Sequence, residues 1–205
     1  MNYGFIQSEF DGSERIFKPS ESIEIPTEYS YINFLPNVLN QGKMPICVPC
    51  SLSCNINWNI NINNDTNIDN NVDVISIFES RKSGSDDGMS FKEALSFIKH
   101  NGVNTDNGLF KINSYYVIGS IIALKYAILM NGPCVGGLPV YDSNISNFWD
   151  NIDGKFEGLH AIAIVGYDKD GFIIRNSWGD TYGIDGYYHL PYEDFNKFQE
   201  IWTMD

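Results

Sequence analysis

Three short stretches of the chain carry residue types that can do chemistry together. Asn40-Gln41-Gly42 precedes Cys47, Gly158-Leu159-His160-Ala161 opens an alternating apolar run, and Asn176-Ser177-Trp178-Gly179 closes the next one. A cysteine, a histidine and an asparagine in that order are the parts of a thiolate reaction centre. The thiolate attacks a carbonyl, the imidazole moves the proton, and the amide orients the ring without adding a charge. Each residue alone has a plainer reading: Cys47 as a buried thiol, His160 as a core histidine, Asn176 as a turn former before Gly. The conjunction outweighs those readings.

The segments His160-Ala-Ile-Ala-Ile-Val-Gly-Tyr-Asp168, Gly171-Phe-Ile-Ile-Arg-Asn-Ser-Trp-Gly179 and Gly186-Tyr-Tyr-His-Leu-Pro191 resemble the histidine and asparagine strands of the papain-like cysteine peptidases. The 16-residue step from His160 to Asn176 matches that family too. The resemblance runs from about Tyr31 to Tyr192, and its N-terminal part rests mainly on Gln41 to Cys47. It implies an α+β fold of two lobes, one helical and one an antiparallel β-barrel-like lobe, with the site in the cleft between them. It implies peptide or protein substrates, a thioester on the cysteine and no cofactor or metal. Gln41 stands six positions before Cys47, where the family places the amide that meets the oxyanion. That spacing favours Cys47 as nucleophile. The alternative is Cys50, because the commonest family motif is Cys-x-x-Cys with the second cysteine catalytic; here, however, Ser51-Leu52 follows Cys50. His160 is the general base and acid, Asn176 its orienting partner, and Trp178 the shield of their hydrogen bond. Gly88, Met89 and Leu159 are expected along the substrate cleft, with Asp86 and Asp87 beside it.

Other chemistries are weaker. Of the four cysteines, Cys47, Cys50 and Cys54 lie within eight residues, leaving Cys134 apart. A disulfide framework is not expected, and a zinc or redox use of Cys47-x-x-Cys50 lacks a second ligand pair or a βαβ setting. A formal charge of −13 argues against nucleic acid, which needs a basic face. No apolar run is long enough to cross a bilayer, and the first ten residues lack a basic start and an apolar segment, so no signal peptide is evident. The expected location is cytoplasmic or virion-associated. With Met1 as the start there is no room for a long helical inhibitory pro-segment. Two other functions remain: a papain-like transpeptidase or amidase acting on non-protein or cell-wall peptides, and a catalytically silent binding or structural module.

The elements that must hold these residues follow from pattern. Residues 1–30 are polar and aperiodic, a tail or strap, with Ile23-Glu-Ile-Pro26 as a short edge strand. A loop over Pro36–Pro45 leads to a helix over about Val48–Asn61, whose N-terminus holds Cys47. An exposed Asn-rich loop is expected around Asn61–Asn71. A short helix falls between Asp73 and Lys82, and a loop over Ser83–Gly88. Ser90-Phe-Lys-Glu93 is a capping box opening a helix with Phe91, Ala94, Leu95 and Ile98 inward, ended by Asn101-Gly102. A further helix runs over about Ile118–Met130. Strands follow over Cys134–Val140, His160–Tyr167, Gly171–Asn176 and Gly186–Leu190. One domain spans 1–205, with a mainly helical lobe over about 45–105 and a mainly β lobe over about 106–205.

Overall fold

The computed structural model describes residues 3–19, 23–82, 88–144 and 154–205. The loop expected at 83–88, with Asp86 and Asp87, falls outside them except for Gly88. In chain order the elements are β1 (Tyr29–Ser30), α1 (Cys47–Asn64), α2 (Val74–Glu79), α3 (Phe91–His100), β2 (Val103–Thr105), β3 (Gly108–Phe110), β4 (Tyr115–Val117), α4 (Ile121–Asn131), β5 (Cys134–Tyr141), β6 (Phe156–Tyr167), β7 (Gly171–Arg175), β8 (Tyr187–Pro191) and β9 (Glu200–Met204).

The capping-box helix forms as its sequence dictates. Ser90 and Glu93 exchange side-chain and backbone hydrogen bonds at the start of α3, and Phe91, Ala94, Leu95 and Ile98 are buried. α1 is different. It has no side-chain cap and is buried almost all round through its first eleven residues. Such a helix is central, packed on both sides. Val48, Leu52, Ile56 and Ile60 recur every fourth residue and join Ile77, Phe91, Leu95 and Ile98 in the helical-lobe core. From another face Cys54 joins Leu124, Ile128, Ile164 and Phe172 in the β-lobe core.

Seven strands form one antiparallel sheet in the order β4-β9-β5-β6-β7-β8, with β1 also on β6. β6 is its axis. From His160 to Tyr167 every residue is buried, which a strand shows when both faces are covered. His160 is the first of these, at the point where β6 dives from the surface into the interior.

Several expected boundaries move. The edge strand expected at Ile23–Pro26 is not one; the first strand is Tyr29–Ser30, against Tyr167–Gly166. α4 starts at Ile121 because Ser120 caps it through Ala123 N–H, leaving Ile118 outside. The Asn-rich segment is exposed over 62–69 and again at Asn71. Asn61 and Asn70 are fully buried, as is Asn57 nearly so, because their amides satisfy one another. Asn70 donates its N–H and Nδ2 to Asn57 Oδ1 at 2.8 and 3.0 Å, its Nδ2 also to Asn61 Oδ1 at 3.0 Å, and accepts from Asn107.

Candidate active site

Cys47 is the first residue of α1 and has no exposed surface. The opening turn of a helix leaves backbone N–H groups without intrahelical partners, and Ile46 caps none of them with its side chain. Cys50 lies one turn on, buried in the helical-lobe core. All four cysteines are free thiols.

His160 reaches the same point from β6. Ala161, the residue after His160, packs in the same buried cluster as Cys47. The far side of the ring meets Asn176, with 2.7 Å between Nε2 and Oδ1. The Ser177 backbone N–H, which can only donate, points at the same Oδ1 at 2.7 Å and so identifies that atom as oxygen. Nε2 therefore carries a hydrogen, and in the neutral ring Nδ1 is the basic nitrogen. Trp178 lies over the imidazole with ring centroids 4.6 Å apart, where it limits water at the His160–Asn176 hydrogen bond.

The loop after β7 is zipped to the segment before α1. Gln41 N–H donates to Ser177 O at 2.8 Å, and Gly179 N–H to Leu39 O at 2.9 Å. This brings Gln41 beside Asn176. Ser177 Oγ donates to Gln41 Oε1 at 2.6 Å, and Gln41 Nε2 donates to Met44 O at 2.9 Å, which fixes the amide with its nitrogen toward the loop before Cys47. Ser177, absent from the sequence-derived set, thus holds both amides at once. Its place in Asn-Ser-Trp-Gly was the available signal.

Leu159 and Met89 both meet the chain's own N-terminal segment. Leu159 O accepts from Phe5 N–H, and Met89 pairs with Phe5. Gly88 backs onto Gly4, since a Cβ there would stand 2.1 Å from Gly4 O. Tyr3 lies edge-on to His160 with centroids 6.2 Å apart, a contact nothing in the sequence signalled. His100, at the end of α3, holds Ser96 O at 2.8 Å, and exposed His189 pairs with Asp168 at 3.0 Å.

Burial disfavours charge on both reacting groups. Burial pushes the Cys47 thiol up to about 11, against the downward pull of the backbone hydrogen bonds from Ala161, Gly4, Val48 and Cys47. Burial brings His160 down to about 4, with the Asn176 hydrogen bond opposing it. A helix N-terminus and a neighbouring imidazolium act in the opposite direction and favour the thiolate.

Residues 98–200, half of the chain, match a family model described as papain family cysteine protease. An uncharacterized peptidase C1-like protein of Acanthamoeba polyphaga mimivirus is 33% identical over 94 residues, which is 40% of this chain and 30% of that protein. The cathepsin B-like cysteine proteinase 3 of Ostertagia ostertagi is 31% identical over 88 residues, 40% of this chain and 51% of that one. The match thus spans a third to a half of these relatives. Among solved structures, xylellain, a cysteine protease from Xylella fastidiosa, superposes with a TM-score of 0.86 over 100% of this chain and 96% of its own, at 23% identity. The procathepsin B S9 of Trypanosoma congolense gives 0.83 over 100% and 87%, at 15% identity. At these identities the likeness establishes the two-lobed α+β fold.

Proposed function

Since the chain belongs to the papain family of cysteine proteases, we propose that it is a cysteine endopeptidase with Cys47 as nucleophile, His160 as general base and acid, and Asn176 as the group that orients the ring. The family implies peptide or protein substrates. His160 Nδ1 takes the thiol proton and the sulfur bonds to the scissile carbonyl carbon. The resulting oxyanion meets the Cys47 N–H at the start of α1 and the Gln41 amide. As the C–N bond breaks, the imidazolium gives its proton to the departing amine and a thioester remains. Water, losing a proton to His160, then attacks the thioester; the C–S bond breaks and the thiol regains a proton as the acid product leaves.

The observation that carries this reading is the 2.7 Å contact between His160 and Asn176 beside a cysteine that opens a buried, uncapped helix. Gln41 tied through Ser177 to the same asparagine supports it. Gly88, Met89, Leu159 and Trp178 line the path of the substrate backbone in this account. Hydrolysis of a quenched fluorescent peptide library, lost in Cys47→Ala and retained in Cys50→Ala, is the expected result; retention in Cys47→Ala overturns the assignment. Among the described residues no helix is long and apolar enough to cross a membrane.

A further inference from the structure

The string Cys47-Val48-Pro49-Cys50 coincides with the opening turn of α1. The reaction proposed above uses the first of these thiols and gives the second no task. Cys50 is the fourth residue of the helix, and its N–H closes the first turn on Ile46 O at 3.0 Å. Residues three apart on an α-helix have Cα atoms about 5 Å apart. A disulfide spans Cα separations of about 4.4–6.8 Å, so the backbone spacing suits one. Both thiols are free and lie in one buried cluster. Burial, and then the neighbouring Cys47, push the Cys50 thiol up.

The local setting suits a dithiol. The chemistry needs no βαβ unit. It needs a helix N-terminus, where unpaired N–H groups and the dipole favour a thiolate on the first cysteine. α1 supplies that turn with no side-chain cap competing for those groups. Pro49, third in the helix, costs no intrahelical bond there. Helical residues three apart hold their Cβ atoms about 5–6 Å apart, whereas a disulfide needs about 3.5–4.5 Å. The turn must therefore tighten, and an opening turn is the part of a helix with the fewest bonds to resist it. Cys50 also borders a small cavity shared with Ser51, Cys54 and Asn176, which gives its side chain room to turn. Cys54 is a poorer partner. It stands two turns from Cys47, about 10 Å along the axis, which is out of reach.

We propose that Cys47 and Cys50 form a reversible dithiol–disulfide pair, in which Cys50 is the resolving thiol that captures Cys47 after oxidation by a peroxide. The pair rests on the cysteine-peptidase reading for Cys47 as the reacting thiol. The Cys47 thiolate attacks one peroxide oxygen; the S–O bond forms, the O–O bond breaks, and the other oxygen leaves as water or an alcohol after taking a proton. Cys47 is then a sulfenic acid. The Cys50 sulfur, losing its proton, attacks the Cys47 sulfur; the S–S bond forms, the S–O bond breaks, and the hydroxyl leaves with a proton as water. The two thiols give up two electrons and the peroxide gains them. A dithiol reverses the state by exchange and becomes a disulfide itself. Oxidation thus holds Cys47 in a form that can be recovered, where further oxidation to the sulfinic acid would be permanent.

The test uses the full chain in reduced form. Wild type and Cys50→Ala are exposed to hydrogen peroxide. Remaining thiols are alkylated with iodoacetamide in urea, and the products are located by peptide mass mapping without reduction. Peptide hydrolysis is read before oxidation, after it and after dithiothreitol, with thermal melts as the check on folding. Wild type is expected to carry a Cys47–Cys50 disulfide with Cys54 and Cys134 alkylated, and to lose hydrolysis on oxidation and regain it with dithiothreitol. Cys50→Ala is expected to start at the same rate and to lose hydrolysis for good, with Cys47 found as a sulfinic acid. The disulfide in a protein with no hydrolysis at any stage upholds the pair and defeats the peptidase reading. Hydrolysis abolished by peroxide without a Cys47–Cys50 disulfide upholds the peptidase and overturns the pair. A disulfide that engages Cys54 or Cys134 instead, or four thiols all alkylated after peroxide, also overturns it. So does recovery of Cys50→Ala as complete as that of wild type. The wild-type mapping decides the matter by itself if Cys50→Ala does not fold.

Discussion

Asn176→Ala isolates the hydrogen bond on which the proposed proton transfer depends. In the native site Nε2 of His160 donates to Oδ1 at 2.7 Å, in surroundings where neither residue has more than a trace of exposed surface. When the ring takes the thiol proton, this becomes a charge-assisted bond, worth about 1.5–3 kcal/mol. Its loss lowers kcat/KM by about ten- to 150-fold. The direction on pH follows from the same contact. The Asn176 hydrogen bond raises the His160 pKa; without it the imidazole takes up its proton only at lower pH, so the acid limb of the rate profile moves down. Asn176→Asp, which places a negative charge beside the ring, moves that limb up. The assay is the pH profile of kcat/KM on a fluorogenic peptide. A folded Asn176→Ala protein with unchanged rate and unchanged limbs refutes the orienting role. Ser177 N–H also loses its acceptor at 2.7 Å, so thermal melts accompany the kinetics to separate lost stability from lost activity.

Four other consequences concern stability. Ser90→Ala breaks the capping box of α3 and costs about 1 kcal/mol in urea unfolding, with Cys47 alkylation unaltered. Asn70→Ala removes the amide that links Asn57, Asn61 and Asn107; leaving those buried groups short of partners costs about 2–3 kcal/mol. His160 takes up its proton near 6.5 in the unfolded chain and near 4 in the folded one. Its contribution is therefore present above pH 6.5 and is lost as pH falls through that window, by about 2–3 kcal/mol at pH 4.5. His160→Gln removes that part of the acid sensitivity, seen by comparing urea midpoints at pH 7 and 4.5. Glu200, raised by burial against hydrogen bonds from Trp202 and Ser8, works in the opposite sense. Its contribution holds at low pH and is lost as pH rises through its folded value, so Glu200→Gln flattens the slope on that side.

The elements legible in the sequence are those set by short-range physics. The capping box at Ser90, the inward face of α3 and the apolar alternation of β6 and β7 depend on neighbours a few residues away. The juxtaposition of Gln41, Cys47, His160 and Asn176 was legible only because three local strings resemble one family. What was missed depends on distant partners. β9 has five buried residues with no alternation, because β5 and β4 flank it and both faces are covered. Asn61 and Asn70 read as loop residues, since isolated asparagines favour turns; here their amides satisfy one another in the interior. The N-terminal stretch looked polar and aperiodic, and its pairing with Met89 and Leu159 is set by chain segments more than eighty residues away.

The most direct measurement is the site of covalent capture by an epoxysuccinyl inhibitor, mapped by peptide mass spectrometry in the protein and in its Cys47→Ala variant. Opening of the epoxide by the thiolate leaves a thioether on the reacting cysteine. The account predicts one adduct on Cys47, absent from Cys47→Ala. An adduct on Cys50, or none in the folded and reduced protein, contradicts it.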